Sequence, residues 1–303
     1  MHDVYLYGST IVADSFILKG EFPKGNKYAE FIEHHCNVAG ATGVCLSILS
    51  EYGIRCKTDG YHLGTYTAKM LNDYFKNRSI DISSMTVRND FEGAHTYVWI
   101  DQVNNTRNSM GLFGTLQENE ERLYNFPKEE DIQFAKCVAI DPFIIDGADL
   151  AAKYCTTHKI PYVTIDCNHN SFLAKNCEIA VISEEFLLSE YEGIDKESIL
   201  EKYMSTGKGL YIFTFGAKTI LYGRNGVIGR YKPFDVDVVS TWGAGDTFKC
   251  GCIYGLLNRM KDEQIVEFAC ALAGCACCVY PLIENIPSLD MVWQLIDERK
   301  NNT

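Results

Sequence analysis

Basic residues are scarce in this chain: 28 Lys and Arg stand against 40 Asp and Glu, a net charge of -12 over 303 residues. A nucleic-acid partner needs clustered cations against its phosphates, so the composition argues against that class of function. It leaves room for a small phosphate ligand, which needs only one local positive site. Long apolar runs are missing too. The most apolar stretch, residues 268–280, is too short to span a bilayer and reads as a buried helix. No membrane partner is expected. The N-terminal residues lack the pattern of a secretory signal, which predicts a cytoplasmic protein. Histidine forms no cluster in the sequence: His34-His35 and His169 read as surface or core residues, and His95 falls in a β-rich run. Neither an internal repeat nor a low-complexity linker divides the chain, so residues 1–303 are expected to form one domain.

Cysteine, by contrast, is plentiful, with 13 residues scattered through the chain and several inside apolar helical patterns. Without an export signal these read as reduced thiols used as small core residues. Cys275 and Cys278 make a C-x-x-C spacing, but no second ligand pair accompanies them, so packing is the expected role.

Apolar residues make up 47% of the chain, enough for a large core. Short apolar runs at 4–7, 137–140, 162–165, 179–182 and 210–214 read as strands. Helical patterns lie between them, at 148–154 for example, and one at 44–52 stops at Gly53. Buried strands alternating with helices predict an α/β fold: a central, mostly parallel sheet covered by helices on both faces. Ligands of such sheets bind at the carboxyl ends of the strands. Two regions break the alternation, one around Gly20, Pro23 and Gly25, the other at 93–101 before the turn signal Asn104-Asn105. They could pair as a small separate sheet over a cleft, with strands within 12–36 and 90–110, or form surface hairpins.

The stretch with most chemical content is Ser240-Thr241-Trp242-Gly243-Ala244-Gly245-Asp246. Residues 234–239 before it read as an extended approach. After it, Phe248, Ile253, Leu256, Leu257 and Met260 recur at helical spacing. The small-residue turn therefore opens a helix whose unpaired N–H groups and dipole favour phosphate. A carboxylate beside a phosphate site repels the ground-state anion. The simplest reason for Asp246 is that of a general base for a hydroxyl about to be phosphorylated. Without the glycine turn, the same carboxylate would be read as a complement to the helix dipole.

Here the chain resembles the ribokinase-like carbohydrate kinases, the PfkB family. The resemblance rests first on Gly243-Ala244-Gly245-Asp246, with Phe248 and Gly251 in step, and weakly covers nearly the whole chain. It implies an ATP-dependent sugar kinase that transfers the γ-phosphoryl group to a hydroxyl of a small ketose or pentose-like carbohydrate. Gly243, Ala244 and Gly245 would form the anion hole and Asp246 the base. Thr214-Phe215-Gly216-Ala217-Lys218 follows a strand as in the family's nucleotide motif, which places Thr214, Gly216, Lys218 and Thr241 on the nucleotide side; the other reading of Lys218, the one its exposure-prone residue type favours, is a surface lysine. Arg107 resembles the arginine after the lid strand, and Asp166 the aspartate after the middle strand; their other readings are a solvated loop cation and a strand-end cap. Residues 286–288 resemble the turn before the final helix. The implied cofactors are ATP and Mg2+, with room for a monovalent cation. The implied assembly is a homodimer through the lid.

The departures gather at the sugar end. The usual Gly-Gly pair followed by Asn is Gly40, Ala41 and Val44 here, with Asn37 nearby but out of register. Asp14, the first sugar-facing carboxylate, stands one residue farther from Gly8 than usual; its other reading is a turn or cap residue. The Asn-x-x-Glu that organises magnesium appears as Ser183-Glu184-Glu185-Phe186, with Glu185 as the substitute ligand. The pattern implies a working kinase with a divergent acceptor. A nucleoside kinase of this fold and a non-catalytic sugar or nucleotide sensor stand as alternatives. A dinucleotide-binding oxidoreductase would need Gly where Phe248 stands.

Overall fold

The computed structural model describes residues 2–76, 78–104, 106–111 and 122–301. Asn105 of the expected turn lies outside them. Two sheets account for the strands. The larger has the order β13-β12-β11-β10-β9-β8-β1-β4-β5 among the described residues. Its parallel run comprises β1 (Val4–Gly8), β4 (Cys56–Gly60), β5 (Ile80–Asp81), β8 (Cys137–Ile140), β9 (Tyr162–Ile165), β10 (Ile179–Ser183) and β11 (Leu210–Phe215). β12 (Lys218–Arg224) and β13 (Val227–Tyr231) add an antiparallel edge.

Both faces of this sheet are covered, as the continuous apolar runs require. Val4 and Leu6 of β1 point into a core shared with helices α1 (Ala41–Glu51), α8 (Ala244–Leu257) and α9 (Asp262–Cys277). Tyr5 and Tyr7 point the other way, towards α4 (Ile145–His158) and α7 (Lys196–Thr206). The helix at 44–52 starts earlier than the sequence pattern indicates and ends before Gly53, whose φ of 75° suits a chain leaving a helix. α8 and α9 cross closely because a Cβ on Gly251 would lie 2.5 Å from the Ala269 Cα. All 13 cysteines are free thiols and most are buried. Among the described residues no helix is long and apolar enough to cross a membrane, and no group of three His, Cys, Asp or Glu could hold a metal.

The second sheet has the order β3-β2-β6-β7, with β2 (Ile11–Leu18), β3 (Phe31–Ala39), β6 (His95–Asp101) and β7 (Thr106–Gly111). The two irregular regions of the sequence therefore meet in one sheet, through the parallel pairing of β2 with β6. Side chains alternate between faces. The registers Asp14↔Cys36, Phe16↔His34, Asp14↔Tyr97 and Phe16↔Trp99 put those six residues on one face. Ala13, Ser15, Asn37, Val98 and Ile100 take the other, and Arg107 joins them opposite Ile100. This second face lies on the α/β body: Ser15 and Val98 are buried, and the Tyr280 hydroxyl donates to Ser15 Oγ at 2.7 Å.

Candidate active site

The turn before α8 bends through Gly243, whose φ of 83° and ψ of 1° are left-handed, a conformation glycine adopts without a Cβ penalty. Asp246 is then the third residue of the helix, in its positive first turn. The Ala244 N–H donates to the Thr241 carbonyl oxygen at 3.2 Å. The tight turn spends this N–H on itself and leaves the N–H groups of Gly245 and Asp246, which no helical turn precedes, as its outward donors.

In front of Gly245 the space is open: a Cβ built there meets nothing within 4 Å. Gly245 therefore carries no packing duty, and its lack of a side chain is useful only to something that approaches from outside. Gly245→Ala is expected to melt within about 2 °C of the wild type, since an exposed helical alanine is no less stable than glycine. Its turnover should fall by about 10² or more, the scale of a blocked oxyanion site. Full activity with bound nucleotide would remove the anion hole from this turn.

Asp246 lines an open pocket together with Asn37, Gly40, Val44, Trp242 and Leu282 among others. Gly40 and Val44 thus join Asp246, as the sequence predicts. Ala41 opens α1 beside them but is not a lining residue. Arg107 and Thr241 line a neighbouring crevice, where the guanidinium donates to Thr241 Oγ1 at 3.3 Å. The two residues assigned to different substrates by sequence are therefore in contact, which ties the lid to the loop before the glycine turn.

Beneath the site lies a pair the sequence did not disclose. Lys249, one turn after Asp246 in α8, is buried to 0% exposure and bonds Asp141 Oδ1, which is equally buried. Asp141 follows β8, and its Oδ2 accepts the Ser9 N–H at 3.0 Å and the Thr42 hydroxyl at 2.8 Å. Burial and the nearby Asp141 charge raise the Asp246 pKa from 3.8 to about 6, with Lys249 and Arg107 acting against them and Asp166 adding to the rise. A base that titrates near neutrality suits proton abstraction.

Asp14 stands elsewhere. His34 Nε2 and His95 Nε2 each lie 2.6 Å from one of its oxygens, and the Tyr66 hydroxyl donates to it at 3.3 Å. Burial raises its pKa, but the histidine hydrogen bonds outweigh that and the net direction is down. It is on the lid face opposite to Asn37 and Arg107. A strand alternates with period two, so the single extra residue counted from Gly8 moves the carboxylate to the wrong side for the cavity, and Ala13 takes the inward place. Two histidines far apart in sequence, His34 and His95, are its partners.

On the nucleotide side, Thr214 ends in β11 and Gly216, with φ 61°, turns the chain into β12. Lys218 reaches Glu184 at 3.0 Å rather than standing free. Asp166 is a non-glycine residue at φ 36° whose Oδ1 accepts the Ser183 N–H at 2.7 Å. Burial raises its pKa despite that hydrogen bond, and the adjacent Glu185 charge adds to the rise. Asp166 and Glu185 are thus close enough to repel each other, and among the described residues no third His, Cys, Asp or Glu joins them in a metal-holding group.

The site gathers at the carboxyl ends of parallel strands, and a model of the pfkB family of carbohydrate kinases matches residues 61–289. The chain belongs to that family. This pfkB-family kinase is 24% identical over 260 residues to a 5-dehydro-2-deoxygluconokinase of Geobacillus thermodenitrificans, covering 77% of this chain and 76% of the relative. Its fold matches a provisionally assigned ribokinase of Agrobacterium tumefaciens at a TM-score of 0.86, with 18% identity and 99% of each chain covered. It also matches an Arabidopsis thaliana ribokinase complexed with ribose and ATP at a TM-score of 0.78, with 17% identity over 97% of this chain and 98% of the other. As a carbohydrate kinase of the ribokinase-like fold, it is a phosphotransferase with an alcohol group as acceptor.

Proposed function

We propose that this kinase transfers the γ-phosphoryl group of ATP to a hydroxyl of a small ketose or pentose-like acceptor, with Asp246 as the base. One observation carries the reading: a single cavity wall joins a carboxylate that titrates near neutrality to the open N-terminus of α8. The acceptor occupies the cavity. Its hydroxyl proton passes to Asp246 as the oxygen forms a bond to the γ-phosphorus, and the bond from that phosphorus to the β-phosphate oxygen breaks to release ADP. The Gly245 and Asp246 N–H groups hold the γ-oxygens. Thr214 and Gly216 bracket the nucleotide, and Thr241 and Arg107 close the loop beside it. Asp166 and Glu185 would hold Mg2+, which neutralises phosphate charge.

Residues 1–303 act in this reading as one domain whose second sheet serves as a lid. Its thiols suit a reducing cytoplasm. The outward lid face exposes Phe31 at 57%, Tyr97 at 44% and Met110 at 54%. We assign it to pairing with a second copy. Sedimentation should then give twice the 34.2 kDa chain mass. A monomer at micromolar concentration would end that assignment.

The function itself is tested by ADP release with ATP and Mg2+ across ketoses, aldoses, sugar acids, sugar phosphates and nucleosides. Turnover that requires one acceptor class supports the kinase reading. ATP binding without turnover on any class would favour the non-catalytic sensor, and preference for nucleosides would favour a nucleoside kinase.

A further inference from the structure

The acceptor pocket has few polar side chains. Asp246 and Asn37 line it beside the Trp242 indole, and Val38, Val44, Leu282 and Ile283 supply apolar wall. Asn37 is 6% exposed, and its Nδ2 donates to Glu284 Oε1 at 3.1 Å. It pairs across the strands with Ala13, the inward position that Asp14 vacates. Among the described lining residues there is no Lys, Arg or His. Arg107 faces the adjacent crevice and bonds Thr241. Lys249 lies under the site, bound to Asp141.

The electrostatics of such a pocket are one-sided. The one charged lining group is the Asp246 carboxylate; Glu284, outside the lining, takes Asn37 Nδ2 and His35 Nδ1 on the same oxygen. A carboxylate or phosphate on the acceptor would lose its water without gaining a cation from the lining residues, and would meet the like charge of Asp246. An uncharged hydroxyl meets a carboxamide with both a donor and an acceptor. The apolar wall suits a ring face or an unhydroxylated carbon.

We propose that Asn37, held by Glu284, is the specificity-determining residue for the acceptor, and that the acceptor is an uncharged sugar or polyol with an apolar face rather than a sugar acid or sugar phosphate. This rests on the kinase reading above and narrows its substrate class. Asn37 takes a hydroxyl other than the reacting one, and Asp14 serves the lid through His34 and His95.

The test is steady-state kinetics on the full chain with ATP and Mg2+. Neutral pentoses, hexoses and their deoxy forms are compared with the matching aldonic acids and monophosphates. Neutral acceptors should have kcat/KM at least tenfold above their charged counterparts. Asn37→Ala should raise acceptor KM about tenfold or more, the scale of a lost hydroxyl contact, with ATP KM unchanged. Should Asn37→Ala fold poorly, Glu284→Lys places a cation beside the cavity at a half-exposed position and should narrow the preference against acids. A charged acceptor preferred over its neutral form, or an acceptor KM untouched in Asn37→Ala, overturns the inference. Asp246 dependence of that same turnover would leave the kinase reading in place, so the two fail separately.

Discussion

Asp246→Asn lowers kcat by about 10²–10⁴, the range for loss of a general base, while nucleotide affinity stays near that of the wild type. The amide keeps the shape of the first turn of α8 and both N–H donors, so only the proton acceptor is gone. The wild-type pH profile carries the same signature. Burial and Asp141 raise this carboxyl to about 6. Below that value it holds its own proton, and kcat/KM should fall tenfold per pH unit; above it the profile levels off. The sign for stability is opposite. A carboxyl whose folded pKa exceeds its unfolded value favours the fold below the unfolded value, and that contribution is lost as pH rises through the folded value. The Asn variant should therefore be at least as stable as the wild type at pH 8. A variant that retains turnover, or an acid limb absent near pH 6, would remove Asp246 from the role of base.

Lys249→Met should cost about 3–5 kcal/mol in unfolding free energy, the scale for stranding one partner of a buried ion pair. Asp141 would keep the Ser9 and Thr42 donors on one oxygen but lose its Lys249 counterion in a place water does not reach. The double variant Lys249→Met with Asp141→Asn removes the stranded charge and should recover most of the loss. Chemical denaturation of the wild type, both single variants and the double variant gives the coupling directly. A single Lys249→Met variant within about 1 kcal/mol of the wild type would mean that the pair is not a structural cation–anion contact.

What the sequence disclosed was local. The glycine turn, its helix and the strand ends carrying Thr214 and Asp166 are each set by a few adjacent residues, and they were legible as such. The division into two sheets was legible only as a break in rhythm, because β2 and β6 pair across a long intervening chain. Asp14 shows why counting is not enough. Its extra residue was visible from Gly8, but only strand alternation turns one residue into the opposite face. Asn37 is out of register with the motif at the start of α1, yet β3 runs on to Ala39 and delivers it to the cavity. Lys249 had no signal at all: a lysine in an amphipathic helix reads as solvated, and its partner is 108 residues away.

The same carboxylate has a consequence for how the molecule comes into being. Asp141 joins Ser9, Thr42 and Lys249, contacts that span 132, 99 and 108 residues of sequence. A chain emerging from the ribosome can bring the first two partners together early, but it holds an unneutralised anion at the centre of its sheet until residue 249 arrives. The helix that brings the neutralising cation is the one that carries the glycine turn and Asp246. Completion of the interior charge pair and acquisition of phosphoryl-transfer competence are thus one event, late in synthesis, and a chain truncated before α8 has neither.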